Sequence, residues 1–332
     1  MIAFFADWFG IARAWLLEHA VHPALFGLGL DQLSGDAFKG AEWFLAGACE
    51  LAVVFALLRP LEAMMPVHKL TDARARWNDF IYTALHRLGL FSLVIFFTLD
   101  PLVNWFARAL RLEAAHPYNR ELLWSAGMSP IASFFLYVVL IDFFQYWFHR
   151  AQHQFNWWWG LHSLHHSQRD MNLWSDHRNH LLDDLLADAY MALIALAISV
   201  PAAHYVLLVS VSSALQSFQH ANVRIHFGAF GERLLVSPRY HRMHHAIGVG
   251  HESHGNHTLG GCNFAVLLPL WDILFGTANF ELRFGPTGVR DQLPHRSAEG
   301  VTMAGRDYGR GFWQQQWLGL TRMIEFMKRN PN

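Results

Sequence analysis

The stretch HRAQH at residues 149–153 is the first of three histidine clusters in this chain, followed by HSLHH at 162–166 and HRMHH at 241–245. Because residues i, i+3 and i+4 share one face of an α-helix, each cluster is expected to direct its imidazoles to one side. Sixteen of the 22 histidines lie between His149 and His257, a concentration that isolated core or surface histidines do not explain. Imidazole is a ligand for iron, zinc, copper and nickel. Eight converging imidazoles exceed what one ion uses, so the pattern predicts two metal ions.

Other metal sites fit the sequence less well. A structural zinc ion takes four ligands, usually with cysteine, and neither Cys49 nor Cys262 is close to a cluster. A zinc protease carries His-Glu-x-x-His on a helix, whereas HESH at 251–254 has the wrong spacing. Haem ligation would place single histidines within facing apolar helices, and these histidines are expected just beyond the helix ends. A non-haem dinuclear site of neutral imidazoles remains.

The composition predicts a protein that is partly embedded in a membrane. Hydrophobic residues make up 53% of the chain and charged residues only 15%, against about 25% charged in a typical soluble domain. The net charge of −1 provides no broad basic surface, so no nucleic-acid partner is expected.

The apolar segments predict membrane-spanning helices with the histidine clusters on one side of the membrane. The loop 59–87 carries five basic residues, which by the positive-inside rule places it in the cytoplasm. An apolar hairpin returns to the side on which it starts, so all three histidine clusters are expected on the cytoplasmic surface. The candidate spans are 43–58, 88–106, 131–148 and the hairpin 181–218, which is interrupted at Pro201.

The three clusters resemble the HX3H, HX2HH and HX2HH boxes of the fatty acid hydroxylase/sterol desaturase superfamily of membrane di-iron enzymes. The resemblance covers about residues 130–280 and includes further short motifs: Tyr146-Trp147, Asn172, RNH at 178–180, QHAN at 219–222, NFA at 263–265, Trp271-Asp272 and LFGT at 274–277. It implies an all-α integral membrane helical bundle with a cytoplasmic, histidine-rich helical cap. Its three parts would be N-terminal membrane helices and loops at 1–130, the di-iron domain at 131–280, and a tail at 281–332 with an amphipathic helix.

The resemblance also implies the site residues. The implied metal ligands are His149, His153, His162, His165, His166, His220, His241, His244 and His245. Arg224 stands where some relatives have a further histidine, so the ligand set of one metal stays open; His180, His226, water or a substrate oxygen are the candidates. Asp142 lies two turns before His149, where a carboxylate can orient the ring. Asn222 and Asp272 are the other supporting residues, and Asp272 is expected mainly to stabilise a turn.

The implied activity is that of a membrane-bound oxygenase. Two iron ions, with O2 as co-substrate, would hydroxylate or desaturate a C–H bond of a lipid such as a fatty acyl chain or a sterol. Because the sequence shows no dinucleotide or flavin fingerprint, electrons are expected from a separate donor, a ferredoxin or a cytochrome b5-like protein with its reductase. Two other functions stay open: a metal-binding membrane transporter or sensor, and a zinc-loaded relative.

Overall fold

The computed structural model describes residues 2–91, 93, 105, 127–198, 200–247, 261–296 and 300–329. Within these ranges the regular secondary structure is helical apart from one short antiparallel pair of strands, and loops connect the helices, so the prediction of an all-α fold is confirmed. The helices are α1 (Ile2–Leu16), α2 (His22–Gly27), α3 (Ser34–Met64), α4 (Ala73–Arg87), α5 (Pro130–Gln154), α6 (Asn156–His166), α7 (Leu181–Ala197), α8 (Ala202–His220), α9 (Gly228–Gly231), α10 (Pro238–His244), α11 (Leu270–Leu274) and α12 (Phe312–Arg329). The shorter elements are a π-helical turn (Leu17–Val21), two 3-10 turns (Asp31–Leu33 and Arg290–Gln292) and the strands β1 (His295–Arg296) and β2 (Thr302–Met303).

Among the described residues, two helical segments are long and apolar enough to cross a membrane, Asp31–Met64 with 34 residues and Pro130–Gln154 with 25. They contain the candidate spans 43–58 and 131–148. At 1.5 Å per residue, both exceed the roughly 30 Å thickness of the hydrocarbon core. Large apolar side chains such as Phe55 on α3 point outward, which is typical of contact with lipid. Most of the candidate span 88–106 lies outside the described residues.

Helices α7 and α8 form the predicted hairpin, with its break at Pro201. The start of α7 and the end of α8 both lie beside the histidine clusters. Asp183 Oδ2 is 3.0 Å from His162 Nδ1, and His220 Nε2 is 3.2 Å from His165 Nε2. The hairpin therefore returns to the side on which it starts, as the sequence predicted.

Helix α5 extends further than expected and carries the first histidine cluster within it. Ser129 caps its start by accepting the Ala132 N–H, and Pro130 occupies the first turn. No helix breaker follows Phe148, so the helix runs on to Gln154 and ends only where Phe155 adopts an extended conformation. The second cluster likewise lies inside α6. The expectation that these histidines sit just beyond the helix ends was wrong.

Buried carboxylates hold the loop between α6 and α7 against the N-terminal helices. Glu62, near the end of α3, accepts the backbone N–H groups of Leu173 at 2.8 Å and Asn222 at 2.9 Å. Asp79 on α4 is fully buried and forms an ion pair with Arg178 at 2.8 Å. Buried loop backbone needs such partners because it lacks the hydrogen bonds of a helix. The loop is therefore fixed rather than solvated.

Helix α12 lies across α6, the helix of the second histidine cluster. A Cβ atom added at Gly160 on α6 would lie 2.6 Å from the backbone nitrogen of Met323, so the two backbones touch. The Gln316 side chain accepts the Leu181 N–H at 2.8 Å, which also ties α12 to α7. Helix α12 thus packs directly on the cap, and the division of the chain at 281 stays a prediction.

Replacing Gly160 by alanine is expected to destabilise the protein by roughly 1–3 kcal/mol, because the added methyl group meets backbone atoms that cannot move aside locally. Thermal unfolding in detergent would measure this as a lower Tm. The control is Gly40→Ala on α3, where nothing lies within 4 Å of the added Cβ and helix propensity predicts a neutral or small stabilising effect. Equal stability of the two variants would contradict the close contact between α6 and α12.

Candidate metal centre

All nine histidines that the sequence predicted as ligands lie together and are buried. They form two groups: His149, His153, His162, His166 and His244 in the first, and His165, His220, His241 and His245 in the second. Within each group the candidate ligand nitrogens lie within 4.8 Å of one another. Nitrogens that share one ion at about 2 Å lie no more than about 4 Å apart. Each group is therefore close to the geometry of one filled metal site.

The HX2HH spacing divides each of two helices between the two groups. On α6, His162 and His166 are one turn apart and enter the first group, while His165 enters the second. At α10 the assignment is reversed, since His241 and the C-terminal cap residue His245 enter the second group. His244 enters the first. Two short helices thus each contribute to both sites.

The two groups adjoin each other. The rings of His166 and His245, which belong to different groups, are stacked with centroids 4.2 Å apart. The centroids of His165 and His166 are 5.4 Å apart. Ions held by the two groups would therefore be close neighbours, as a dinuclear centre requires.

Hydrogen bonds at Nδ1 prepare four of the rings for metal binding. These bonds join His149 to the carbonyl of Phe264 (2.8 Å), His244 to that of Cys262 (2.8 Å), His220 to that of Gln216 (2.8 Å) and His162 to the carboxylate of Asp183 (3.0 Å). A carbonyl or carboxylate oxygen only accepts, so in a neutral ring Nδ1 carries the proton and Nε2 keeps its lone pair. His162 Nε2 is buried with no hydrogen-bond partner among the described residues.

The nitrogens of the second group face one another at short range. His220 Nε2 lies 3.2 Å from His165 Nε2 and 3.0 Å from His241 Nε2. Since His220 donates through Nδ1, its Nε2 lone pair points at two other ring nitrogens. A cation between them would satisfy all three lone pairs. The donor set, imidazole alone, suits iron.

Burial keeps the ligand rings neutral. It lowers the pKa of His165, His241 and His245 well below the usual value of histidine, and neighbouring imidazoles lower it further. Neutral imidazole is the form that binds a metal. The rings therefore need not lose protons before they bind a metal at neutral pH.

Asp183 supports the site and was not singled out in the sequence. Besides contacting His162, its carboxylate accepts hydrogen bonds from Nε2 of Gln152 at 2.9 Å and from Nε1 of Trp158 at 2.7 Å. It therefore connects α5 and α6 to the start of α7. The available signal was a pair of carboxylates, Asp183 and Asp184, opening an apolar helix.

Asp142 does not contact His149, contrary to the sequence-based expectation. Its carboxylate accepts the backbone N–H groups of Leu267 at 2.8 Å and Leu268 at 2.9 Å, and Nε1 of Trp271 at 3.1 Å. The His149 ring is held instead by the Phe264 carbonyl. A carboxylate seven residues before a histidine lies two turns away, too far to reach the ring when nearer donors are available.

Asp272 stabilises a turn, as expected, and through it supports a ligand. It accepts the N–H groups of Phe264 and Ala265, both at 2.9 Å, and the Tyr240 hydroxyl at 3.0 Å. Fixing Phe264 places the carbonyl that orients His149. Asn222 binds the backbone of His68 through both ends of its amide and contacts none of the nine ligands by a hydrogen bond.

The structure does not bring His180 or His226 into either group. His180 Nε2 lies 2.8 Å from the Gln316 carbonyl, and its Nδ1 accepts the Leu182 N–H at 3.1 Å. His226 is exposed. Neither residue fills the position that Arg224 leaves open, so the second group has four imidazoles and the first has five.

Residues 134–277 match the family model described as "Fatty acid hydroxylase". This part of the chain is similar to fatty acid hydroxylase domains. All nine clustered histidines lie inside it, and the resemblance to the fatty acid hydroxylase/sterol desaturase superfamily is confirmed.

Several curated proteins are similar to this chain. Alkylglycerol monooxygenase of Homo sapiens is 31% identical over 141 residues, which is 42% of this chain and 29% of the relative. The same enzyme of Xenopus tropicalis is 29% identical over 137 residues, 41% of this chain and 28% of the relative. Ornithine lipid hydroxylase of Rhizobium tropici is 25% identical over 237 residues, 71% of this chain and 66% of the relative. The chain thus spans less than two thirds of these relatives. No solved structure gives a significant match.

Asp183→Asn is expected to weaken metal binding in the first histidine group about ten- to a hundredfold, because the amide no longer fixes the His162 tautomer. Competition with a chelator, followed by metal analysis, measures the affinity. Asp188→Asn on the same helix is the matched control, since no hydrogen bond joins Asp188 to the nine ligands. Unchanged affinity in Asp183→Asn would contradict the orienting role.

Proposed function

We propose that this chain is a membrane-bound di-iron oxygenase that uses O2 to hydroxylate a C–H bond of a lipid. The observation that carries the proposal is the pair of adjoining, all-histidine groups inside the segment that matches the fatty acid hydroxylase family. Hydroxylation is favoured over desaturation because the relatives are named monooxygenase and hydroxylase. Both names also refer to lipids with polar headgroups.

The reaction balances as R–H + O2 + 2 H⁺ + 2 e⁻ → R–OH + H2O. When bound, the irons would supply the activation of O2. The protein's contribution is to present neutral imidazoles in fixed orientation, to exclude water by burial, and to place the lipid carbon beside the metals. The two electrons come from a separate one-electron donor, a ferredoxin or a cytochrome b5-like protein with its reductase.

The membrane arrangement belongs to the same proposal. Two apolar helices and membrane-enzyme relatives indicate membrane association. We infer that the cap faces the cytoplasm, because the basic segment 59–87, which comprises the end of α3 and all of α4, packs against it through Glu62 and Asp79. The positive-inside rule places that segment in the cytoplasm.

The positions of the carboxylates on the spanning helices disfavour a metal transporter. A transport path needs free carboxylates along the spanning helices. Glu50 on α3 forms an ion pair with Arg87. Asp142 on α5 accepts hydrogen bonds from two backbone N–H groups. Asp100 lies outside the described residues. The nine imidazoles gather instead at one end of the bundle.

His165→Ala is expected to lower the metal content from two irons per chain towards one and to abolish O2-dependent product formation, because one ion of the pair loses a ligand. Metal analysis of anaerobically purified protein and mass spectrometry of lipid products, with a chemical reductant and mediator, provide the two readouts. His226→Ala, at an exposed histidine outside both groups, is the control and should retain both. A single zinc ion in the native protein, or product formation without O2, would overturn the proposal.

A further inference from the structure

The proposed reaction consumes two protons in each turnover, although the metal centre is buried. The ligand rings themselves do not supply these protons. In His149, His220 and His244 the Nδ1 proton is donated to a backbone carbonyl, and Nε2 is left to bind metal. A neutral ring held in this way has no proton to spare. Protons therefore have to reach the centre through other groups.

A cavity of about 160 Å³ adjoins both histidine groups. His162 of the first group and His165 and His220 of the second form part of its wall. At about 30 Å³ per water molecule, the cavity has room for roughly five waters. Its wall is mainly apolar, so waters would be held at the polar groups that reach it. The positions of these groups decide where protons can enter.

Three carboxylate residues belong to this wall, Asp176, Asp183 and Asp184. Asp176 Oδ1 is buried and has no hydrogen-bond partner among the described residues. A water in the cavity would supply the donor that this oxygen lacks. Water placed between a carboxylic acid and a reacting site can pass a proton between them. The wall therefore offers a place where protons can be transferred to water.

Two imidazoles outside the metal groups lie behind these carboxylates. His86 Nε2, on α4, lies 3.1 Å from Asp184 Oδ2, and His177 Nε2, in the loop between α6 and α7, lies 3.6 Å from Asp176 Oδ2. The two rings are stacked with their centroids 5.0 Å apart. Both Nε2 atoms are buried, whereas the side chains of His86 and His177 are 12% and 23% exposed. Each ring therefore joins an inner carboxylate to the outer edge of the protein.

The pair formed by Asp176 and His177 is held in one charge state. Asp176 Oδ2 lies 3.3 Å from Arg87 Nη2 and accepts the Ser217 hydroxyl at 2.8 Å, which keeps the carboxylate ionised. Burial lowers the pKa of His177 to about 3, so its ring stays neutral. This pair can hold water in the cavity but does not exchange protons near neutral pH.

The pair formed by His86 and Asp184 carries a proton near neutral pH. Burial disfavours a charged imidazole, but nearby carboxylates, foremost that of Asp184, outweigh it and raise the pKa of His86 above its usual value. Asp188, one turn further along α7, acts in the same direction. The charged and titratable groups around the ring are Asp184, Asp188, Asp176, His177, Arg87 and Glu50, of which Glu50 pairs with Arg87. His86 is therefore the protonated imidazole of this cluster.

A proton can move through this pair without a build-up of charge. Transfer of the Nε2 proton from His86 to Asp184 Oδ2 leaves a neutral imidazole and a carboxylic acid. The acid gives the proton to a water in the cavity, and the imidazole takes a new proton at its outer nitrogen. Each cycle moves one proton inward and returns both residues to their starting state.

We propose that His86 and Asp184 form a proton-transfer pair that carries protons from the partly exposed edge of His86 to water in the cavity beside the histidine groups. The protons end in the water molecule that the reaction releases, and the electrons come from the separate donor. The use of these protons in turnover rests on the proposed function, whereas the protonation of the pair does not.

The protonation of His86 can be measured without turnover. The full chain in lipid nanodiscs is labelled with ¹³C at histidine Cε1 and loaded with diamagnetic zinc, and the NMR resonance missing in His86→Gln identifies His86. We expect a pKa above the usual value of histidine. In Asp184→Asn the proton dissociation constant of His86 should rise about tenfold or more, because the carboxylate is lost. An unchanged constant, or a native His86 that is neutral at neutral pH, would overturn the proposal.

Proton delivery is measured by mixing the anaerobically reduced, iron-loaded chain with O2 in the presence of a pH indicator. Without substrate, the oxidation balances as 2 Fe²⁺ + O2 + 2 H⁺ → 2 Fe³⁺ + H2O2, so proton uptake and iron oxidation are recorded together. His86→Gln keeps a polar side chain but cannot accept and release a proton. We expect it to slow proton uptake about ten- to a hundredfold without changing the iron content. The control His226→Gln, at an exposed histidine, should match the native rate.

Rescue separates proton transfer from a structural role of His86. In His86→Ala, which leaves space for a small base, added imidazole is expected to restore proton uptake, and the native chain should not respond to it. The slow uptake of His86→Gln should also recover as the pH falls, because free protons then replace the pair. A native rate in His86→Gln, or a slow rate that neither imidazole nor lower pH restores, would overturn the proposal.

The same measurements separate this inference from the proposed function. If O2 does not oxidise the iron of the native chain, the oxygenase is contradicted, and the NMR titration still decides whether Asp184 keeps His86 protonated. Lipid hydroxylation by His86→Gln at the native rate would support the oxygenase and overturn the proton-transfer pair.

Discussion

The structure depends on two short helices, α6 and α10, each of which supplies ligands to both histidine groups. Neither α6 nor α10 builds a site alone, because the i and i+4 histidines of each serve one group and the intervening histidine serves the other. This arrangement requires the two helices to face each other at close range and in one register. The remaining parts of the domain can be understood as the means by which that register is kept.

Backbone carbonyls and buried carboxylates keep α6 and α10 in this register. The chain after α10 returns to the centre at Cys262 and Phe264, whose carbonyl oxygens orient one ligand each from α10 and α5. Asp142 and Asp272 do not touch the histidines, yet they hold the turn that presents the Phe264 carbonyl. Charged groups at this depth thus stabilise irregular backbone, which would otherwise carry unmatched hydrogen-bonding groups. Their effect on the metals is indirect.

The sequence was informative where local spacing determines geometry. Histidines at i, i+3 and i+4 share a helix face whatever the tertiary fold, so eight of the nine clustered histidines could be predicted from spacing, and His220 only from the family resemblance. The turn at Pro201 could be located from one residue. The division of ligands between the two groups could not be predicted, because it depends on how α6 and α10 face each other. The role of Asp142 was misjudged for the same reason, since its partners lie 125 and 126 residues away in the chain.

The shared helices have a consequence for assembly of the centre. An ion bound by one group fixes the rotation of α6 and α10. It thereby also fixes the imidazoles that the same two helices supply to the other group. The second ion then meets ligands whose conformational entropy has already been lost, so its binding is favoured by the first. In the native chain, where all nine ligands are present, partly loaded molecules should be scarce.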